Sequence, residues 1–292
     1  MLCHTCAFSP HPCSNTRSVF PAPSVCQYNA AISYLPSSGN PVTLHGVNIF
    51  QGKRSLRKTM LTISARCWLC LLPLHHSQQG ICSYCQRHLP RLPLCCPRCG
   101  LPSGDTTHQC GRCLQNPPPW QSITFISDYV PPFNTLLKHF KFHGKTELAA
   151  VLARQLLLRW QMTYRERKLS GQVPLFRPDR LFTVPLHRNR QWRRGFNQTE
   201  LLARPLARWL NCAYEPRELQ RTRRTPLQQM LSASARRRNL RGAFSCDVSL
   251  SGQQVVLLDD VVTTGSTAAE ISRLLLAQGA ACVQVWCLCR TL

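Results

Sequence analysis

The fold is decided by residues 255–270, which read VVLLDDVVTTGSTAAE. Four apolar residues open the stretch, a pattern typical of a strand buried on both faces of a parallel sheet. A hydroxyl-rich loop with Gly265 at its bend and then an apolar-periodic helix ending near Gly279 are expected to follow. A loop at a helix N-terminus favours phosphate. Asp259 and Asp260 would lie where open α/β sheets bind ligands, and they suit ribose hydroxyls or hydrated Mg²⁺.

Residues 255–267 resemble the motif with which type I phosphoribosyltransferases bind phosphoribosyl pyrophosphate (PRPP), and all thirteen positions fit it. The resemblance implies that the paired acids hold the ribose 2′ and 3′ hydroxyls and that the loop holds the 5′-phosphate. The PRPP-binding residues implied in this way are Asp259, Asp260, Thr263, Thr264, Gly265, Ser266 and Thr267.

Paired acids after an apolar run are also found in Walker B strands of ATPases. That interpretation needs a P-loop, and the nearest approach to one is Gly144-Lys145-Thr146. The first Gly of the pattern would fall on His139, and no convincing buried strand precedes it. We therefore reject an ATPase site.

The charge of the chain is strongly basic, with a formal net charge of +24 over 292 residues. Residues 159–241 contain 20 Lys and Arg against 5 Asp and Glu, a net of +15. Arginine predominates there, which suits bidentate contacts to phosphate. The excess predicts a polyanionic partner, either nucleic acid or a pyrophosphorylated substrate, and a solvated basic surface is the alternative.

Eight of the 18 cysteines form four Cys-x-x-Cys pairs between residues 67 and 113. The chain has neither an apolar run of membrane-spanning length nor the apolar core of a secretory signal, so we expect a cytoplasmic location with no membrane partner, and metal binding rather than disulfides. Two pairs make one closed, structural zinc site, so two Zn²⁺ ions are expected. Sequential and interleaved pairing both stay open. The expected ligands are Cys67, Cys70, Cys82, Cys85, Cys96, Cys99, Cys110 and Cys113.

Further strands are expected at residues 123–129, 181–185 and 283–288, the last closing the sheet. Helices are expected at 147–160 and from Asn134 as cap to 142, with a polar connector at 165–178. Arginines crowd the loop after the 181–185 strand, and a second basic tract at 217–243 occupies the position of the mobile hood of phosphoribosyltransferases. The expected contacts with pyrophosphate or DNA are Arg188, Arg190, Arg193, Arg194, Arg236, Arg237 and Arg238.

Residues 60–292 resemble the ComF/GntX family in combining the cysteine pairs, an Arg-Gly-Phe-Asn-Gln stretch at 194–198 and a C-terminal PRPP motif. The resemblance is close to the GntX branch. It implies an α/β fold: a type I phosphoribosyltransferase-like parallel sheet domain preceded by a small double zinc ribbon. The expected division is an N-terminal extension at 1–59, either disordered or added by an early start-codon assignment, then the double zinc ribbon at 60–116 and the phosphoribosyltransferase-like domain at 120–292.

The same resemblance implies a role in competence, through uptake or utilization of external DNA. With the basic charge it predicts single-stranded DNA and PRPP, or a related phosphoribosyl ligand with Mg²⁺, as partners, and a protein of the competence machinery as a further one. The alternative is an active phosphoribosyltransferase of nucleobase salvage with no DNA role. No acceptor pocket or general base is recognisable in the sequence, which leaves catalysis open.

Overall fold

A parallel sheet of four strands is built from the most apolar segments of the chain. This computed structural model describes residues 65–76, 80–173, 175–185, 197–223 and 240–291, which lie in one compact unit, Thr59–Leu292. Its strands are β1 (Ser122–Asp128), β2 (Arg180–Thr183), β5 (Gln254–Val262) and β6 (Cys282–Arg290). The sheet has the order β1-β6-β5-β2, with every neighbouring pair parallel. A separate antiparallel pair joins β3 (Leu219–Arg221) to β4 (Phe244–Cys246).

Helices cover both faces of this sheet. The helices on the two faces are α3 (Phe133–Phe142), α4 (Leu148–Leu169), α5 (Gln198–Leu210) and α6 (Ser266–Ala277), whereas the short helices α1 (Ser83–Arg87) and α2 (Gly111–Gln115) lie among the paired cysteines. The polar connector expected from residue 165 is wrong over its first part, because α4 continues through 169 on residues with good helix propensity. Asn134 lies inside the first turn of α3 and does not cap it.

The last strand lies inside the sheet, between β1 and β5. The expectation that it closes the sheet is therefore wrong. Every residue of β6 after Cys282 is buried, as a strand with neighbours on both edges and helices on both faces requires. Among the strands described, β1 and β2 form the two edges.

Alternation along β5 separates two cores. Val256 and Leu258 join α3, α4 and α5 in the first core, while Val255 and Leu257 join α6 and the β3–β4 pair in the second. Successive residues of a strand point to opposite faces, so the two cores lie on opposite sides of the sheet. The strand and the helix predicted in the 255–270 stretch are both confirmed.

The cysteine pairs are packed against this domain. Gly80 has a φ of +67°, and a Cβ added there would lie 2.2 Å from Cγ2 of Val151 on α4. Gly100 has a φ of +73°, and its added Cβ would lie 2.9 Å from the ring of Phe125 on β1. Both positions require glycine, for the left-handed conformation and for the close approach. Within the described ranges, no helix is both long enough and apolar enough to cross a membrane.

Candidate functional site

The loop between β5 and α6 is shaped by Gly265. This residue caps α6 in the left-handed conformation, with φ 75° and ψ 6°, and its added Cβ would lie 2.9 Å from Cη2 of Trp120. The Thr264 and Ser266 hydroxyls lie 2.9 Å apart, and the Ser266 N–H donates to the Thr264 hydroxyl at 3.4 Å. Helix geometry leaves first-turn amides without intrahelical acceptors. Hydroxyls and N–H groups therefore gather at one helix N-terminus, as an anion site requires.

Two carboxylates stand on β5 just before this loop. The Asp260 N–H donates to Oδ1 of Asp259 at 2.7 Å. Burial, and then the charge of Asp260, raise the pKa of Asp259 to about 7. A carboxyl group held in this range gains or loses its proton near neutrality, and a cation or a hydroxyl donor beside it would favour the charged form.

Lys141 completes the acidic site and was not anticipated from the sequence. Its Nζ lies 2.8 Å from Oδ2 of Asp260, and only 13% and 16% of the two side chains are exposed. The residue sits in the last turn of α3, in line with the buried Phe133 and Leu137 at spacings of four. A lysine that continues an apolar stripe is the signal that could have identified it.

Arg290, at the end of β6, holds the start of the loop between β5 and α6 by hydrogen bonds. Its side chain is almost fully buried, with 5% of the residue exposed. Nη1 donates to the carbonyls of Val262 at 3.0 Å, of Thr291 at 2.9 Å and of Thr263, while Nε donates to the Cys99 carbonyl at 3.0 Å. Burial lowers the pKa of Arg290 from its ordinary value. The sequence signal was an arginine at the end of a strand whose other eight residues are uncharged and, except for Gln284, apolar.

A cavity of about 760 Å³ opens at the carboxyl end of β2. Pro185 and Asn197, which border it, are the residues that flank the 186–196 segment. The cavity lining is mixed in charge, with Glu200 and Arg204 among its residues. Burial raises the pKa of the neighbouring Tyr214 to about 12, so this hydroxyl keeps its proton and can donate.

The arginines predicted to contact pyrophosphate or DNA lie outside the described residues. They are Arg188, Arg190, Arg193, Arg194, Arg236, Arg237 and Arg238. The remaining predicted binding residues, from Asp259 to Thr267, are brought together at the carboxyl edge of the sheet.

The eight paired cysteines form two groups of four sulfur atoms. In sequence order, the first cluster is Cys67, Cys70, Cys82 and Cys85, and the second cluster is Cys96, Cys99, Cys110 and Cys113. The pairing is sequential, and the sulfur atoms of each cluster lie within 4.8 Å of one another. The Sγ–Sγ distance is 3.7 Å for Cys70–Cys82 in the first cluster, and in the second it is 3.7 Å for Cys99–Cys110 and 3.9 Å for Cys96–Cys113. Tetrahedral zinc with bonds of about 2.3 Å places its sulfur ligands roughly 3.8 Å apart, so both clusters fit a zinc ion.

Backbone donors prepare one thiol of each cluster for metal binding. Burial alone would raise the pKa of Cys67, but N–H groups of Cys70, Cys82 and Leu69 outweigh it and lower the pKa to about 6. Cys96 follows the same pattern, and its pKa falls to about 7. Thiolates are the form that binds metal, so each cluster offers a ready first ligand.

Comparisons with known proteins concern the domain and the family of this chain. A family model described as the phosphoribosyl transferase domain matches residues 201–292. The DNA utilization protein YhgH of Salmonella typhi is 52% identical over 233 residues, which are 80% of this chain and 100% of the relative. Competence protein F of Haemophilus influenzae is 40% identical over 228 residues, 77% of this chain and 96% of the relative.

Among solved structures, a hypoxanthine phosphoribosyltransferase of Trypanosoma cruzi is 16% identical and covers 54% of this chain and 68% of its own. Its TM-score of 0.27 is too low to support a conclusion about this protein.

Proposed function

The chain belongs to the ComF/GntX family, with the DNA utilization protein YhgH and competence protein F, and on this premise we propose that it binds PRPP and single-stranded DNA in the uptake or utilization of external DNA. The observation that carries the PRPP part is the position of Asp259 and Asp260 beside the helix-capping loop at Gly265. Carboxylates suit the hydroxyls of a sugar, and the loop at the helix N-terminus suits a phosphate. Their position side by side at the carboxyl end of one parallel strand therefore matches a ligand that contains a sugar and a phosphate.

In this proposal each part of PRPP meets a different group. The N–H groups at the N-terminus of α6 and the hydroxyls of Thr264 and Ser266 donate hydrogen bonds to the 5′-phosphate, and the helix dipole favours an anion there. The carboxylates of Asp259 and Asp260 accept the ribose hydroxyls. The carboxylates also fit Mg²⁺, which prefers oxygen ligands and, when bound, would neutralise the pyrophosphate.

Lys141 extends the proposal to the pyrophosphate group. In this structure one carboxylate oxygen of Asp260, Oδ2, forms an ion pair with Nζ of Lys141 at 2.8 Å. When the ribose hydroxyls take that carboxylate, the ammonium group is free to pair with the nearest ligand charge, which is the pyrophosphate. A charge-assisted bond of this kind contributes about 1.5–3 kcal/mol.

We propose further that each cysteine cluster holds one structural Zn²⁺. Closed four-thiolate sites leave no open position for substrate, so the metal would support the fold without taking part in chemistry. Cysteines that stay reduced, as zinc ligands or as free thiols, are typical of a reducing compartment, which is the basis for proposing a cytoplasmic location.

The single-stranded DNA part rests on charge and on the family. The net of +15 over residues 159–241 includes the cavity arginines Arg204 and Arg217. Backbone phosphates bind such surfaces with little sequence preference, and the affinity falls as salt rises.

A second candidate, an active phosphoribosyltransferase of nucleobase salvage, is favoured by the cavity beside β2. Its volume of about 760 Å³ accommodates a base, and the Tyr214 and Thr183 hydroxyls lie there as hydrogen-bonding groups. Turnover of PRPP with free bases, with and without single-stranded DNA, separates the two candidates. Base-dependent release of pyrophosphate that DNA does not affect would favour salvage.

Calorimetry on the full chain with PRPP and Mg²⁺ tests the binding site. Asp260→Asn should abolish the binding heat, because the neutral amide is a much weaker ligand for the cation and its NH₂ group cannot accept a hydrogen bond from a ribose hydroxyl. The matched control is Asp247→Asn, which removes the same charge from an exposed position. An absence of heat in the unmodified chain, or equal affinity in both variants, would refute the assignment.

A further inference from the structure

We propose that the second cysteine cluster positions the phosphate-binding loop through Arg290 and Trp120, so that metal binding at this cluster and phosphate binding at the loop strengthen each other. The inference builds on the proposed PRPP and zinc sites. It assigns the two cysteine clusters different roles, although their ligands and spacing are nearly the same.

The first observation is a set of three successive carbonyls. Pro97 and Arg98 link the first two cysteines of the second cluster, and their carbonyls, together with that of Cys99, each accept a hydrogen bond from the phosphoribosyltransferase-like domain. The donors are the Ile123 N–H at 3.2 Å, the Trp120 Nε1–H at 2.7 Å and the Arg290 Nε–H at 3.0 Å. A tight turn that wraps a metal thus also carries the contacts that dock it on the sheet.

Two of these donors reach the loop. The Trp120 ring packs on Gly265 so closely that an added Cβ would lie 2.9 Å from it. Arg290 donates at the same time to the carbonyls of Val262 and Thr263, where the strand becomes the loop. Each side chain therefore has one contact on the metal-binding turn and another on the loop. Movement of the turn must move or unpair both.

The first cluster provides the contrast. Cys67 and Ile81 are buried in the core with α3, α4 and α5, and Gly80 packs on Val151 of α4. Trp120 and the residues of α6 belong to the second core, on the opposite side of the sheet. Loss of the first metal should therefore disturb α4 and leave the loop in place.

Metal at the second cluster holds residues 97–99 in one conformation by fixing the four thiolates around them. Without the metal the three carbonyls are restrained only by their hydrogen bonds. Thermodynamic linkage requires that, if this metal raises phosphate affinity by some factor, phosphate raises the affinity for the metal by the same factor. We expect a factor of about ten, within the usual range for coupled sites.

The decisive experiment compares Cys110→Ser with Cys82→Ser in the full chain. Both residues are the third cysteine of their cluster and precede a five-residue helix. Hydrogen exchange is followed in peptides covering residues 259–270, where the Ala269 N–H bonds the Gly265 carbonyl at 2.8 Å. We expect exchange there to accelerate at least tenfold in Cys110→Ser and less than twofold in Cys82→Ser. Equal acceleration in the two variants, or none in either, would overturn the inference.

A milder pair of variants guards against unfolding. Trp120→Phe keeps a ring on Gly265 and removes the donor to Arg98, and Arg290→Lys keeps the charge and removes the fork. Arg180→Lys is the control, since it changes a half-buried arginine at the opposite, amino end of β2. We expect hydrogen exchange over residues 259–270 to be faster in Trp120→Phe and Arg290→Lys than in the unmodified chain, and unchanged in the Arg180→Lys control. Unchanged exchange in the first two would also overturn the inference.

Zinc release to a chelator supplies the reciprocal measurement. The Cys82→Ser protein, which retains only the second cluster, should release zinc about tenfold more slowly with saturating PRPP and Mg²⁺ than with Mg²⁺ alone. PRPP that binds without slowing release would refute the coupling and leave the proposed function standing. If PRPP does not bind at all, the proposed function fails, and hydrogen exchange alone decides the role of the cluster.

Discussion

Replacing Lys141 with Met is the sharpest test of how the acidic site is built. The change keeps most of the apolar stem and removes the ammonium group 2.8 Å from Asp260. Exposed ion pairs contribute about 0–1 kcal/mol, and breaking a fully buried pair costs about 3–5 kcal/mol. With 13% and 16% of its side chains exposed, this pair lies nearer the buried limit. We therefore expect a loss of about 2–3 kcal/mol in the free energy of unfolding.

Urea unfolding of four proteins measures this quantity: the unmodified chain, Lys141→Met, Asp260→Asn and the double variant. At a slope of about 2 kcal/mol per molar urea, the single variant Lys141→Met should lower the midpoint by about 1 M. The double variant should lose much less than the two single losses together, because neither charge is left without a partner. A coupling energy below about 0.5 kcal/mol would refute the buried pair.

The same variant separates the roles of Lys141 in stability and in binding. PRPP affinity should fall about 10-fold to 100-fold, the equivalent of one charge-assisted bond. Ribose 5-phosphate, which lacks the pyrophosphate, should bind as before. Lys138→Met, which alters an exposed lysine of the same helix, is the control. Equal losses for both ligands would exclude a pyrophosphate contact.

Three further predictions concern other parts of the molecule. The pKa of Asp259, raised to about 7, makes this group a source of stability below pH 4 that is lost as pH rises through 7, so Asp259→Asn should flatten the decline in urea midpoint between pH 4 and 7. Elemental analysis of freshly purified protein should find two zinc ions per chain, and a metal-free protein would contradict it. Changing Arg236, Arg237 and Arg238 to Ala should weaken single-stranded DNA binding and reduce its salt slope by up to about 2 while PRPP binding largely survives, and unchanged DNA affinity would exclude that tract as a DNA surface.

The strand, loop and helix around Gly265 were predictable because their signals are local. A buried apolar run, a pair of acids and a glycine at a helix N-terminus are each decided within a few residues. The sequential cysteine pairing was one of two alternatives that spacing alone left open, and the positions of the sulfur atoms distinguish them. The extent of α4 and the interior position of β6 were missed, since the packing of distant segments decides them.

The residues that sequence reasoning missed share a physical cause. Lys141, Arg290 and Trp120 act through partners that are 119, 191 and 22 positions away in the chain. Such contacts follow from how strands are ordered, and strand order cannot be derived from the local pattern of one segment. What the sequence does offer is an anomaly, namely a charged residue continuing a buried stripe or ending a buried strand.

The second cysteine cluster covers one of the two edges of the parallel sheet. A four-stranded sheet has two edges, and an uncovered edge invites pairing with another chain. At β2 the chain covers the edge with Ala213, whose carbonyl accepts the Leu181 N–H at 2.8 Å. At β1 the metal-binding turn does so, because the Pro97 carbonyl accepts the Ile123 N–H at 3.2 Å. A fragment that begins after the cysteines would lose both this cover and the Cys99 carbonyl that accepts from Arg290 Nε. The ligand site should therefore be studied in the full chain, where metal centres and phosphate loop belong to one folded unit.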